Sequence, residues 1–132
     1  AAFQFYGNAN PPHLQVVISD LGGGIASTLR PALQNKAELD FDLDEISDFE
    51  LIARAFSEAG LSQKNIKYDG VGGQGLFASG LAMKKHNTKF FIRQETSQCR
   101  LEYENGKVSV TSEKLNLVKL PGTHICFQFY LD

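Results

Sequence analysis

Alternating apolar and polar positions predict strands at both ends of the chain. Near the start, residues 2–6 and 14–18 flank a segment rich in Gly, Asn and Pro, which predicts an antiparallel hairpin. From residue 89 onward the pattern is typical of strands throughout, and Asn105-Gly106 is a strong signal for a tight hairpin turn. In the last segment, residues 123–131, apolar side chains occupy every second position and predict a closing strand.

The middle of the chain has helical spacing instead. Apolar residues recur on one helical face over residues 49–59, after a Ser-x-x-Glu capping box at residues 47–50, and we expect this helix to end near a glycine at position 60. Residues 76–85 predict another helix. A shorter helix is expected over residues 28–35, with Pro31 in its first turn, where the missing N–H does no harm.

Helices and antiparallel hairpins that are segregated along the chain indicate an α+β fold. We therefore predict a two-layer α/β sandwich, in which a mostly antiparallel sheet carries the helices on one face. At 132 residues, the chain has the length of a single domain.

Composition and charge exclude several classes of protein. A net charge of -2 gives no electrostatic footprint for nucleic acid or an anionic membrane, and no apolar run reaches the ~20 residues of a membrane-spanning helix. The two cysteines fit no metal-ligand spacing. The composition is that of a cytoplasmic protein, and we therefore expect both thiols to be free and not bridged. The acidic residues between positions 40 and 50 lack the spacing of a calcium loop and predict a solvated, mobile segment.

The stretch with the clearest chemistry is Asp20-Leu21-Gly22-Gly23-Gly24-Ile25, at the end of the second predicted strand. A strand that ends on a carboxylate and turns through glycines brings bare backbone and one charged acceptor to a single point. This arrangement suits a small ligand that has a hydrogen-bond donor. A tight turn with nothing bound has the same sequence signature, so both interpretations stay open.

A second glycine-rich segment, residues 70–75, directly precedes the helix predicted over residues 76–85. Glycines that open a helix offer unpaired backbone N–H groups to a phosphate, although an empty turn is equally consistent with them. The spacing Gly70-x-Gly72-x-x-Gly75, with Glu95 about 20 residues on, also matches the dinucleotide-binding fingerprint. The polar residues before it and the antiparallel hairpins after it do not fit that fold, so NAD(P) binding is the less favoured hypothesis.

The order of these segments resembles the Bergerat-type ATP-binding domain of the GHKL family, which gyrase, the large heat-shock chaperone, histidine kinases and DNA-repair ATPases share. Residues 20–25 are similar to the family's first glycine box, and residues 49–64 to a form of its mobile ATP lid. Residues 73–77 resemble the second glycine box, although Phe77 stands where a third glycine is expected. Residues 121–123 resemble the start of the closing strand. The resemblance spans nearly the whole chain.

The resemblance implies a site for ATP or ADP, with Mg²⁺ in the intact protein. Asp20 would accept a hydrogen bond from the adenine amino group, the glycines of the first box would let the backbone approach the base, and those of the second would cradle the phosphates. Residues 26–69 would form a lid-like insert over the nucleotide. The implied cofactor-binding residues are Asp20, Gly22, Gly24, Ile25, Ser62, Lys64, Gly73, Gln74, Gly75, Leu76 and Thr123.

One part of the family pattern is absent from this sequence. The helix that carries the magnesium-binding Asn, and in the ATPases a Glu general base, should precede the strand at residues 2–6. We therefore assign no metal ligand and no catalytic residue, and we expect the chain to be an N-terminally truncated fragment. It is either part of an ATPase or kinase catalytic domain, or a non-catalytic module for nucleotide sensing or partner contacts.

The missing helix also has a structural consequence. Without it, on the order of several hundred Å² of apolar sheet surface would face solvent, which is more than a monomer usually tolerates. We therefore expect the chain to associate with itself, most simply as a symmetric homodimer.

Overall fold

The computed structural model of the protein describes residues 1–34, 39–58 and 75–131. These residues form an α+β structure in which helices lie on one face of a six-stranded sheet, which confirms the predicted α+β class and is consistent with a two-layer sandwich. In chain order the elements are β1 (Ala2–Tyr6), β2 (His13–Asp20), α1 (Ile25–Leu33), α2 (Asp48–Ser57), α3 (Gly75–Lys85), β3 (Thr88–Glu95), β4 (Ser97–Glu104), β5 (Lys107–Lys114) and β6 (Leu120–Tyr130).

The strands are ordered β1-β2-β6-β3-β4-β5, and each neighbouring pair is antiparallel. The last strand, β6, therefore lies in the middle of the sheet and joins the first hairpin to the β3–β5 meander. A parallel βαβ unit, which dinucleotide binding of the Rossmann type requires, does not occur among these strands. The sheet therefore gives the NAD(P) hypothesis no support.

Strand register aligns apolar side chains in rows across the face that carries the helices. Residues paired across antiparallel strands project to the same face, so each row is a continuous band. The first row is Val16, Phe127, Phe90 and Leu101, and the second is Ile18, Ile125, Ile92 and Cys99. The β3 and β4 members of both rows are fully buried and form the centre of the core.

Helices α2 and α3 cover the β3–β5 half of this face. At the start of α2, the Ser47 Oγ accepts a hydrogen bond from the Glu50 N–H at 3.2 Å, as the capping box predicts. The Phe56 ring packs against that of Phe90, with centroids 4.7 Å apart. Helix α3 crosses α2 at Gly80, where an added Cβ would lie 1.9 Å from the Phe56 carbonyl oxygen. The backbones of the two helices are therefore in direct contact.

Helix α1 begins three residues earlier than the sequence pattern predicts. It starts at Ile25, so Pro31 lies in its second turn and not in its first. Its buried stripe of Ala26, Leu29 and Leu33 packs into the core. Burial of this stripe outweighs the one intrahelical hydrogen bond that a proline cannot donate.

The acidic segment before α2 has exposed carboxylates, as expected, but its apolar residues pack against the core. The Arg30 guanidinium donates to the Ile46 carbonyl oxygen at 2.6 Å and to Asp48 Oδ1 at 2.8 Å. The Arg54 guanidinium lies 4.6 Å from the centroid of the Phe41 ring. Two arginines, one from α1 and one from α2, thus hold the segment. Its core-packed residues are Leu39, Phe41, Leu43 and Ile46.

The β1–β2 half of the helix-facing side of the sheet is largely exposed. Phe3 is 82%, Phe5 is 60% and Ile18 is 45% exposed. Register places Phe3 beside Val16 and Phe5 beside Leu14, so these side chains extend the core rows past the helices. We call the set Phe3, Phe5, Leu14, Val16, Ile18 and Phe129 the bare face.

At the opposite edge of the sheet, α2 provides a hydrogen-bond acceptor for one backbone N–H group of β5. The Val108 N–H donates to the Ser57 Oγ at 2.8 Å, and the same hydroxyl donates to the Ala53 carbonyl oxygen at 3.0 Å. An N–H group on an edge strand would otherwise be open to a strand from another molecule. This position of the edge is closed within the chain.

The two cysteines should differ in reactivity. Cys99 is buried on β4, and burial raises the pKa of its thiol to about 12. Cys126 is half-buried on the opposite face of the sheet, and burial raises its pKa as well. Because the thiolate is the reactive form, we expect DTNB to modify Cys126 far faster than Cys99 in the native protein at pH 8. In denaturant both should react at similar rates.

A Cys126→Ser variant should then release almost no thionitrobenzoate until it unfolds. Rapid native modification of the Cys126→Ser variant would contradict the burial of Cys99.

The raised pKa of Cys99 also makes the stability of the protein depend on pH. The unfolded thiol ionises near its usual pKa of 9.0 and the folded one only near 12. The contribution of this thiol to the free energy of unfolding is therefore complete below pH 9 and is lost as the pH rises from 9 toward 12.

Candidate functional site

At one end of the sheet, the helix-facing side changes from apolar to polar. Beyond the row that contains Ile92, register aligns Asp20 at the end of β2, Thr123 on β6 and Gln94 on β3. These three hydrogen-bonding side chains occupy neighbouring positions on one face. We call Asp20, Thr123 and Gln94 the polar row. It places hydrogen-bonding side chains next to the apolar rows of the core.

The chain leaves Asp20 through a turn, residues 20–24, that folds the backbone against the carboxylate. The Gly22 N–H donates to Asp20 Oδ1 at 2.9 Å. A Cβ on Gly22 would lie 3.0 Å from the other oxygen, Oδ2, and so would crowd it. Asp20 is exposed, and no residue in the described ranges donates to Oδ2. Among the described residues, Oδ2 therefore keeps its capacity to accept a hydrogen bond.

Gly24 ends this turn and leads directly into α1. Its φ of 97° is a conformation that favours glycine, and a Cβ there would lie 3.2 Å from Gln94 Nε2. The Ser27 hydroxyl lies within hydrogen-bond distance of the Gly23 and Gly24 carbonyl oxygens, at 2.6 and 2.8 Å, and the Thr28 hydroxyl donates to the latter at 3.1 Å. Helix α1 thus holds the glycine backbone against the polar row.

The start of β6 approaches the same turn from the neighbouring strand. Gly122 has a φ of 85°, and a Cβ there would lie 2.3 Å from the Asp20 carbonyl oxygen. Without a side chain, the two backbones can approach this closely. The next residue, Thr123, is only 6% exposed, and its Oγ1 accepts a hydrogen bond from Gln94 Nε2 at 3.2 Å. The position of Thr123 in the polar row therefore depends on the glycine before it.

The structure brings together four residues that the sequence assigns to one site: Asp20, Gly22, Gly24 and Thr123. Sequence reasoning missed Gln94. Its signal was present in the strand pattern, because Gln94 shares the face of Phe90 and Ile92 and is the polar residue at the end of that apolar series.

The other predicted site residues either lie outside the described residues or occupy other positions in the fold. Ser62, Lys64, Gly73 and Gln74 lie outside the described residues, as do Gly70 and Gly72 of the dinucleotide pattern. Gly75 begins α3, and Ile25 and Leu76 are half-buried and pack against the core. The phosphate cradle and the lid over the nucleotide stay predictions.

A cavity of about 300 Å³ lies away from the polar row, between α2 and β5, and none of the predicted site residues that the structure describes lines it. Its lining includes Arg54, which is already paired with Asp40 at 2.8 Å and with Glu58 at 3.2 Å. Within the described ranges, no group of three or more His, Cys, Asp and Glu side chains could hold a metal ion. The polar row and its glycine turn remain the candidate site.

No family model, curated protein or solved structure matches the chain. In the part of the chain that the structure describes, no helix combines the length and the apolar character needed to cross a membrane.

Proposed function

We propose that the chain is an adenine-nucleotide-binding domain of the Bergerat type, similar to the ATP-binding domains of histidine kinases and GHKL ATPases. The observation that carries this proposal is the polar row beside the glycine turn. It combines a carboxylate oxygen that has no donor among the described residues, a hydroxyl and a side-chain amide with backbone that carries no Cβ. A flat base with an exocyclic amine can use each of these features.

In this proposal, Asp20 Oδ2 accepts a hydrogen bond from the adenine amino group, and Thr123 contacts the neighbouring ring nitrogen. Gly22 and Gly24 leave room for the ring, since a side chain at either position would crowd the polar row. We assign the phosphates to the N–H groups at the start of α3, which begins at Gly75, because the positive end of a helix dipole favours negative charge. The proposal is limited to binding of ATP or ADP, and we assign neither a catalytic residue nor a Mg²⁺ ligand.

The test of the proposal is calorimetric titration of the protein with ADP, with and without Mg²⁺. We expect Asp20→Asn to weaken ADP binding by about 1–3 kcal/mol, the cost of weakening a hydrogen bond to a charged acceptor that the ligand has covered. The variant should fold normally, because the Asp20 side chain is exposed and Asn can still accept from the Gly22 N–H.

Asp44→Asn is the matched control, because it removes one exposed carboxylate from the acidic segment and leaves the polar row intact. It should bind ADP like the wild type. Equal ADP affinity in the wild type and Asp20→Asn, or no ADP binding by the wild type, would contradict the proposal.

The bare face supports a second candidate within the same fold, a non-catalytic module that senses nucleotide and contacts a partner. Exposed apolar side chains that lie side by side on one face are typical of an interaction site. The sequence encoded upstream of this chain separates the two candidates, because a helix that carries a Glu and an Asn there would complete the catalytic domain. An upstream sequence without such a helix would indicate the module.

A further inference from the structure

We propose that Gln94 sets the direction of the Thr123 hydroxyl and thereby selects adenine over bases of the hypoxanthine and guanine type. The inference rests on the proposed function, which it deepens by naming the residue that decides base preference. Gln94 lies outside both glycine segments, on β3, and contacts the site through Thr123 and Gly24.

The Gln94 amide lies between Thr123 and Gly24. Gln94 Nε2 donates to Thr123 Oγ1 at 3.2 Å, and the contact is partly buried. On its other side the amide lies against Gly24, where even a Cβ would come within 3.2 Å of Nε2. The amide is thus held between the glycine turn and the central strand, with its N–H directed at the threonine oxygen.

The hydrogen bond from Gln94 determines how the Thr123 hydroxyl can act. A threonine hydroxyl has one hydrogen to donate and two lone pairs that accept. Because the Gln94 amide occupies a lone pair, the hydroxyl hydrogen is free to point away from Gln94. Asp20 is the next residue in the row, so the site presents an acceptor at Asp20 and a donor at Thr123 side by side.

The acceptor at Asp20 and the donor at Thr123 match the hydrogen-bonding groups of adenine. Adenine carries an amine donor at C6 and an acceptor at N1, which is the complement of this pair. Hypoxanthine and guanine carry an acceptor at O6 and a donor at N1, the inverse order. A site of fixed donor and acceptor order discriminates strongly against the inverse, because both polar contacts then fail at once.

The test is the ratio of ADP to IDP affinity, measured by calorimetry in the wild type and in Gln94→Glu. The substitution keeps the shape of the side chain but replaces the donating amide with an accepting carboxylate, so the Thr123 hydroxyl turns to donate to it and offers the base a lone pair. We expect the ADP to IDP ratio to fall by about tenfold, the equivalent of one reversed hydrogen bond. The added negative charge repels both diphosphates equally and does not change the ratio.

Gln98→Glu is the matched control. It makes the same chemical change on β4, where register pairs Gln98 with Arg93 on the opposite face of the sheet. Its ADP to IDP ratio should equal that of the wild type. Gln94→Leu, which removes the donor without adding an acceptor, should give a ratio between those of the wild type and Gln94→Glu, and it provides a second variant if the carboxylate impairs folding.

The measurements distinguish a failure of the role of Gln94 from a failure of the adenine site itself. If Asp20→Asn loses ADP affinity and both Gln94 variants keep the wild-type ratio, the role of Gln94 is overturned and the adenine site stands. If the wild type binds neither ADP nor IDP, the proposed function fails and the role of Gln94 fails with it. A lowered ratio in both Gln94 variants, with Gln98→Glu unchanged, supports the inference.

Discussion

Replacement of Gly80 by alanine is expected to lower the free energy of unfolding by about 2–3 kcal/mol. The added methyl group would lie 1.9 Å from the Phe56 carbonyl oxygen, and backbone cannot move aside as the end of a side chain can. Helix α3 would have to separate from α2, which would disturb the Phe56–Phe90 contact in the core. Alanine favours helix by about 1 kcal/mol over glycine, and this gain offsets only part of the loss.

Thermal and urea unfolding, followed by circular dichroism, measure this effect. We expect the Tm to fall on the order of 10 °C. The control is Ala82→Gly on the exposed face of α3, which reports the propensity difference alone, a loss of about 1 kcal/mol. If Gly80→Ala is as stable as the wild type, the two helices are not in backbone contact.

Serine at both Phe3 and Phe5 is expected to convert a self-associating chain into a monomer. Both side chains lie on the bare face, and their exposed fractions of 82% and 60% are high for phenylalanine. A phenylalanine can bury about 150–250 Å², so a symmetric pair of bare faces would bury on the order of 1,000 Å², near the lower limit of specific interfaces. The side chains of the bare face are all apolar, so pairing of two bare faces buries no charged member of the set.

Light scattering over a concentration series is the measurement. The wild type should approach twice the monomer mass as its concentration rises, whereas the Phe3→Ser, Phe5→Ser variant should stay at the monomer mass. Val118→Ser serves as the control, since Val118 is also an exposed apolar residue but lies in the loop between β5 and β6, away from the bare face. A wild type that is monomeric at every concentration would refute the homodimer.

Local signals in the sequence were sufficient for most of the elements. Alternation identified the strands, Asn105-Gly106 identified the β4–β5 turn, and the Ser47 cap identified the start of α2, because each depends on neighbours within a few residues. The start of α1 could not be read in this way. The proline suggested a first turn, whereas burial of Leu29 and Leu33 against distant elements decides where the helix lies.

In the candidate site too, some residues could be predicted from the sequence and others could not. Asp20 and its glycines are adjacent in the sequence, so their proximity was predictable from the residues alone. Gln94 joins them only because β6 lies between β2 and β3, and no local pattern specifies which strands become neighbours. The left-handed conformation of Gly122 likewise follows from its close approach to Asp20, a contact across about a hundred residues of chain.

The hydrogen bond between Ser57 and the backbone of Val108 has a consequence for aggregation. A fibril that grows by strand addition needs two open edges on every molecule, one to receive the preceding copy and one to receive the next. At β5 a hydroxyl from α2 occupies the N–H that an incoming strand would use, at 2.8 Å, whereas β1 has no strand beyond it in the described sheet. An incoming strand would have to displace this hydrogen bond at β5, whereas at β1 no such bond stands in its way within the described sheet. Edge pairing through β1 is therefore favoured over pairing through β5, and pairing of β1 with β1 gives a closed dimer.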